Sequence, residues 1–106
     1  MNPALKARCE ARARIIKAMA HPTRLFIVDE LSRGKRCVCE LTSLVGADTS
    51  TVSKHLNTLK TAGIVADRKQ GLQVFYSLKR PCILGFLECV TGVLKANARE
   101  HAALVK

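Results

Sequence analysis

Cys37 and Cys39 stand two residues apart in Lys35-Arg36-Cys37-Val38-Cys39-Glu40-Leu41, a polar and cationic setting. Packing is a poor reason for two cysteines there. Their chemistry is a better one, because thiolates bind soft metals and metalloids and react with oxidants. In a regular helix, side chains at i and i+2 diverge by about 200°, whereas in extended backbone they share a face. Joint chelation therefore requires non-helical backbone at the start of the helix that follows, and binding would reshape that helix. Lys35, Arg36 and the helix N-terminus are expected to lower the thiol pKa. Two sulfurs are an incomplete set, since trivalent arsenic or antimony takes three ligands and zinc or cadmium four.

The segment that follows has different chemistry. Across Ser50 to Val65, Val52, Leu56 and Leu59 fall within about 40° of one another on a helix and face inward. Ser50, Lys54, Asn57 and Thr61 take the opposite side, flanked by Thr51, Ser53 and Thr58. Short hydroxyls, an amide and a cation can enter a major groove and bond to base edges or phosphates. His55 is a boundary residue, divided between packing and DNA contact.

The elements that position these residues follow from periodicity and breakers. Residues 4–20 read as a helix with Leu5, Cys9, Ala13, Ile16 and Ala20 on one stripe. A second helix begins near Pro22 and stops at Ser32-Arg33-Gly34. A short third helix, 39–46, ends at Gly46. Ala47-Asp48-Thr49 forms the turn, with Asp48 or Thr49 capping a fourth helix that ends at Gly63. Strands are expected over Ile64–Lys69 and Leu72–Leu78, with Gln70-Gly71 at the tip. Arg68, Lys69 and Gln70 there suit phosphate or minor-groove contact. A long helix runs from about Arg80 to Leu104.

This order predicts a mainly α fold with a two-stranded β wing, a winged helix-turn-helix occupying residues 1–106 as one domain. On the final helix Cys82, Phe86, Cys89 and Val93 form one face, and Ile83, Leu87, Val90 and Leu94 form a second. The apolar arc is too wide for one packing surface, which predicts a homodimer through the N- and C-terminal helices.

Composition agrees with a polyanionic partner. The formal charge is +10 over 106 residues, more than solubility needs, and double-stranded DNA is the expected partner. No apolar run approaches the ~18 residues that span a bilayer, and the N-terminus lacks a signal-peptide core. A cytoplasmic protein is expected. Five cysteines cannot all pair within the chain, which suits free thiols, ligands or redox groups in a reducing compartment. An enzyme is not expected: the thiol spacing is not Cys-x-x-Cys, and neither a thioredoxin-like pattern nor a His–Asp set surrounds it.

Four motifs occur together in order: Ala20-His21-Pro22-Thr23-Arg24-Leu25, Cys37-Val38-Cys39-Glu40-Leu41, Ser53 to Lys60 with Ala62-Gly63-Ile64-Val65, and the Gly71 to Leu78 strand. In these the chain resembles the ArsR/SmtB family of winged-helix repressors, over about residues 15–80 in motif and nearly throughout in layout. The resemblance implies a homodimer that represses an operator and releases it when an inducer binds. The DNA-contacting set read from the residues is Ser50, Thr51, Ser53, Lys54, His55, Asn57, Arg68 and Lys69, and no cofactor is expected to be required for DNA binding.

The arsenic-responsive members that the thiol segment resembles often carry Cys-Val-Cys-Asp-Leu-Cys, and Thr42 stands at the last position here. A third ligand must then come from Cys9, on this chain or its partner, or from Cys82 or Cys89; all three also have a packing explanation. The cadmium- and lead-responsive members pair an N-terminal cysteine with Cys-x-Cys, a route Cys9 leaves open. Arsenite ranks first as inducer, with As(III)/Sb(III) or Cd(II)/Pb(II) as the class. A redox- or persulfide-responsive repressor is the alternative. The carboxylate and two-histidine zinc site known on the last helix of other members is not expected, since Glu88, Glu100 and His101 lack its spacing.

Overall fold

The computed structural model describes residues 1–105. Helix α1 spans Pro3–Met19, started by the Asn2 side chain, which accepts from the Leu5 N–H at 2.8 Å, and by Pro3 in the first turn. Helix α2, Pro22–Leu31, repeats the device: His21 Nδ1 accepts from the Thr23 N–H at 3.1 Å. Strand β1 is only Arg36–Cys37, and α3, Val38–Val45, follows it directly. Gly46, at φ 76°, closes α3 in the left-handed region that glycine tolerates best.

Helix α4 spans Thr49–Thr61. Asp48 occupies its N-cap position, but the carboxylate accepts from the Thr51 hydroxyl rather than from a backbone N–H. Strands β2, Val65–Gln70, and β3, Gln73–Leu78, pair antiparallel from Val65–Leu78 to Gln70–Gln73. The turn is therefore Gly71-Leu72, one residue later than expected, and Leu72 is fully exposed in it. Helix α5 covers Ile83–Val105.

The sheet has three strands rather than two, in the order β1-β3-β2. Arg36 pairs with Tyr76 and Cys37 with Phe75. A two-residue strand has no periodicity to read; it exists because β3 offers an open edge to the chain just before α3.

The core lies between α2, α3, α4 and the base of the wing. Ile27, Val28, Leu41, Val52, Leu56 and Leu59 are fully buried, with Leu31, Ile64 and Val65 nearly so. The terminal helices share little of it. Helix α1 buries only Ala18 and Met19, and α5 buries no residue, touching the core through Ile83, Leu84 and Leu87.

One chain is consequently too open to be a finished globule. Its radius of gyration is 16.7 Å, against about 13 Å for a compact domain of this length. It exposes 7519 Å², where a compact chain of this mass would expose roughly 5,800 Å². The excess of about 1,700 Å² is larger than the ~800 Å² that each partner gives to a standard interface. Val93 (57% exposed) and Leu94 (64%) lie on this surface. Analytical ultracentrifugation is expected to give twice the chain mass for the parent and the single-chain mass for Val93→Glu/Leu94→Glu, with helix content retained. A monomeric parent would contradict the assignment of this surface.

Candidate functional site

Helix α4 is sorted into two sides as its periodicity requires. Val52, Leu56 and Leu59 are buried, while Ser50, Thr51, Ser53, Lys54, Asn57 and Thr61 are exposed. Thr58 is half-buried, its hydroxyl donating to the Lys54 carbonyl at 3.1 Å. Helix α3 packs across the inner side of α4 and the β2–β3 wing stands beside it. Arg68 and Lys69 are exposed on the wing. Gln70 is engaged by Lys35 Nζ at 3.5 Å, and that ammonium also lies over the Phe75 ring, 5.2 Å from its centre.

His55 has a different place from the one expected among DNA-contacting residues. It is half-buried, and its Nδ1 accepts from Arg24 Nε at 3.1 Å. Its ring centre lies 4.5 Å from that of His21. Arg24 also donates to the Ala18 carbonyl at 3.3 Å, so one guanidinium ties α1, α2 and α4 together. Burial, then the neighbouring His21 and Arg24, hold the His55 pKa below its ordinary value. The imidazole is a neutral acceptor inside the hairpin.

Of the thiol pair, Cys37 alone lies in non-helical backbone, while Val38 and Cys39 already belong to α3. Cys37 is extended (φ −76°, ψ 160°) and buried, and Cys39 is exposed in the first turn of α3. Cys37 is itself the N-cap. Its Sγ accepts from the Glu40 N–H at 3.3 Å, and Glu40 Oε1 accepts from the Cys37 N–H at 3.2 Å. This is a capping box with a thiol in the usual hydroxyl position. Arg36 extends it, donating to Glu40 Oε2 at 3.1 Å with Glu30 Oε2 at 3.8 Å. Glu40 and Arg24 were given no role from the sequence, and Arg36 only an electrostatic one, although the Cys37-x-x-Glu40 spacing is that of a capping box.

The expected fall in thiol pKa is corrected for Cys37. A hydrogen bond with the Cys39 thiol, then burial, pushes its pKa up, outweighing the Glu40 N–H that favours thiolate. The protonated form is the one the fold favours. That contribution is present below the ordinary value of 9.0 and lost as pH rises through the raised one. Glu40 moves the other way, its pKa lowered by the Cys37 N–H and thiol and then by Arg36.

The pair opens into a pocket of about 370 Å³ bordered by Thr49 of α4 and by Leu72 and Val74 of the wing. Cys9, Cys82 and Cys89 are all exposed. Among the described residues of one chain, no three His, Cys, Asp or Glu side chains converge on a metal position. Neither Cys9 nor the Cys82/Cys89 face therefore completes the site within a protomer.

A family model described as bacterial regulatory protein, arsR family, matches residues 21–67. The cadmium resistance transcriptional regulatory protein CadC homolog of Staphylococcus aureus is 42% identical over 67 residues, 62% of this chain and 55% of that protein. The chain thus spans about half the length of this relative. The biofilm growth-associated repressor of Agrobacterium fabrum is 32% identical over 94 residues, covering 89% of this chain and 80% of that one. Among solved structures, a homodimeric winged helix-turn-helix DNA-binding domain from Mycobacterium bovis superposes with a TM-score of 0.80 at 27% identity, covering 94% and 93% of the two chains. The family and these neighbours are transcriptional regulators, not enzymes. No helix among the described residues is long and apolar enough to cross a membrane.

The Glu40 carboxylate contributes stability above its ordinary value of 4.5 and loses it as pH falls through the depressed one. Glu40→Gln keeps an acceptor at the capping box but removes the charge. Thermal melts from neutral to acid pH are expected to show the variant less stable at neutrality, with the gap closing as the parent's carboxylate protonates. A gap independent of pH would refute the charged role.

Proposed function

This chain belongs to the arsR family of bacterial regulatory proteins, and on that premise we propose that it is a cytoplasmic, homodimeric repressor whose DNA binding is relieved by a thiophilic metalloid. Ser50, Thr51, Ser53, Lys54 and Asn57 of α4 read the operator, and Arg68 and Lys69 of the wing hold its backbone. Two such helices, one per protomer, enter successive major grooves about one helical turn apart.

The observation that carries this reading is the position of Cys37. Its sulfur caps α3 and its backbone pairs with the wing strand β3. A ligand on that sulfur competes with the Glu40 N–H for the same lone pairs. Losing the cap costs α3 on the order of 1 kcal/mol and disturbs the helix against which α4 packs. A coupling of ~1–3 kcal/mol between inducer and DNA, 5- to 150-fold in affinity, is the usual scale.

The donor set fits a soft metalloid in part, with two sulfurs from one segment and a third to come from Cys9 across the dimer. Cys82 or Cys89 is the secondary choice. Arsenite remains the first candidate inducer. Arsenous acid condenses with thiols, each S–H displacing one hydroxide as water, so no proton is left over, whereas a divalent ion such as cadmium or lead must expel the thiol proton. A redox or persulfide switch at the same pair is the second reading, favoured by two thiols bordering one pocket with no third converging on them among the described residues.

Serine is a good N-cap, so Cys37→Ser removes the soft ligand and keeps α3 started. Arsenite titrated onto the complex with DNA from upstream of the gene is expected to weaken parent binding by at least ~5-fold. Cys37→Ser and Cys39→Ser should hold the DNA at the same arsenite concentration. Variants that release as readily as the parent would exclude the pair as sensor. Release by peroxide or polysulfide but not by arsenite would select the second reading.

A further inference from the structure

An open cleft of about 760 Å³ lies between α1 and the C-terminal half of α4. Arg14, Lys17 and Arg24 line it on one side, and Asn57, Thr58 and Thr61 on the other; no carboxylate borders it. Asn57 and Thr61 belong to the exposed side of α4, so the cleft continues the surface already assigned to DNA. We propose that it is a docking site for the phosphate backbone of duplex DNA, with Arg14 and Lys17 as the contacting residues. This rests on the DNA-binding reading and adds a sequence-independent anchor on a helix otherwise regarded as part of the dimer surface.

Charge is the first support. Helix α1 carries Lys6, Arg8, Arg12, Arg14 and Lys17 against the single acid Glu10. A helix face that merely keeps the protein in solution needs no such imbalance and commonly mixes both signs. Arg14 and Lys17 take part in no ion pair among the described residues. Their charge is therefore not neutralised within the chain.

Positioning is the second. Arg24 donates to the Ala18 carbonyl at the end of α1 and to His55 on α4. That guanidinium fixes the last turn of α1 against α4, so Lys17 and Arg14 keep a set distance from Asn57. Contacts of this kind orient a protein on DNA without reading its sequence.

The test measures binding of the parent dimer and of Arg14→Gln/Lys17→Gln to a random-sequence duplex and to the upstream DNA, each across a series of KCl concentrations. Each lost phosphate contact lowers the steepness of log K against log[salt] by about one, so the double variant, which removes two contacts from each protomer of the dimer, should lose about four. Both DNAs should be weakened by a similar factor. Arg14→Lys/Lys17→Arg preserves the charges and should keep the parent slope.

An unchanged slope in the Gln variant, a loss confined to the upstream DNA, or an equal loss in the charge-preserving variant would overturn the proposal. Asn57→Ala separates it from the reading beneath it: discrimination between the two DNAs should fall while the slope stays. If Asn57→Ala leaves discrimination intact, the α4 reading fails, and the slope of the Arg14/Lys17 variant still decides this one.

Discussion

One weak hydrogen bond, from the Glu40 N–H to the sulfur of Cys37, organises the start of α3, where we propose that this protein senses its inducer. Sulfur is a poor acceptor beside a serine hydroxyl, so the cap is held as much by its return arm, Glu40 to the Cys37 N–H, and by Arg36 bracing Glu40 against Glu30. A cap built this way is sensitive to the state of the thiol. The same residue pairs with Phe75 in the wing. One residue therefore touches the two parts, α3 through its sulfur and the wing through its backbone, beside which α4 is packed.

The output side is stiff where the input side is marginal. Val52, Leu56 and Leu59 have no exposure at all, and α4 closes on α2 through Arg24 and His55. Such packing does not deform gradually. In the repressor proposed above, a change at the start of α3 would reach DNA as a shift of α4 relative to its partner copy, since α3 packs on α4.

What could be read from the sequence divides along physical lines. The two sides of α4 follow from a 3.6-residue period and were legible residue by residue. The chemical oddity of Cys37 and Cys39 was legible too, but the non-helical backbone expected of the pair is present at Cys37 alone. Features that depend on distant partners were not. β1 is two residues long and exists only against β3. His55 meets an arginine 31 residues away. The wing turn slipped by one because Gln70, Gly71 and Leu72 leave the register to the pairing of β2 with β3. The Cys37 pKa went the opposite way to local charge, since a thiol neighbour and burial outweigh nearby cations. Among the described residues of one chain no third side chain joins the thiol pair at a metal position.

The account stands on the Cys37 cap opening when its sulfur is occupied, and amide hydrogen exchange at Glu40 reads this directly. In the free protein the Glu40 N–H is expected to be protected along with the first turn of α3. At an arsenite concentration that releases DNA, its exchange should accelerate together with that of neighbouring α3 amides, and Cys37→Ser should show no such change. DNA release with the Glu40 amide still protected would contradict the account.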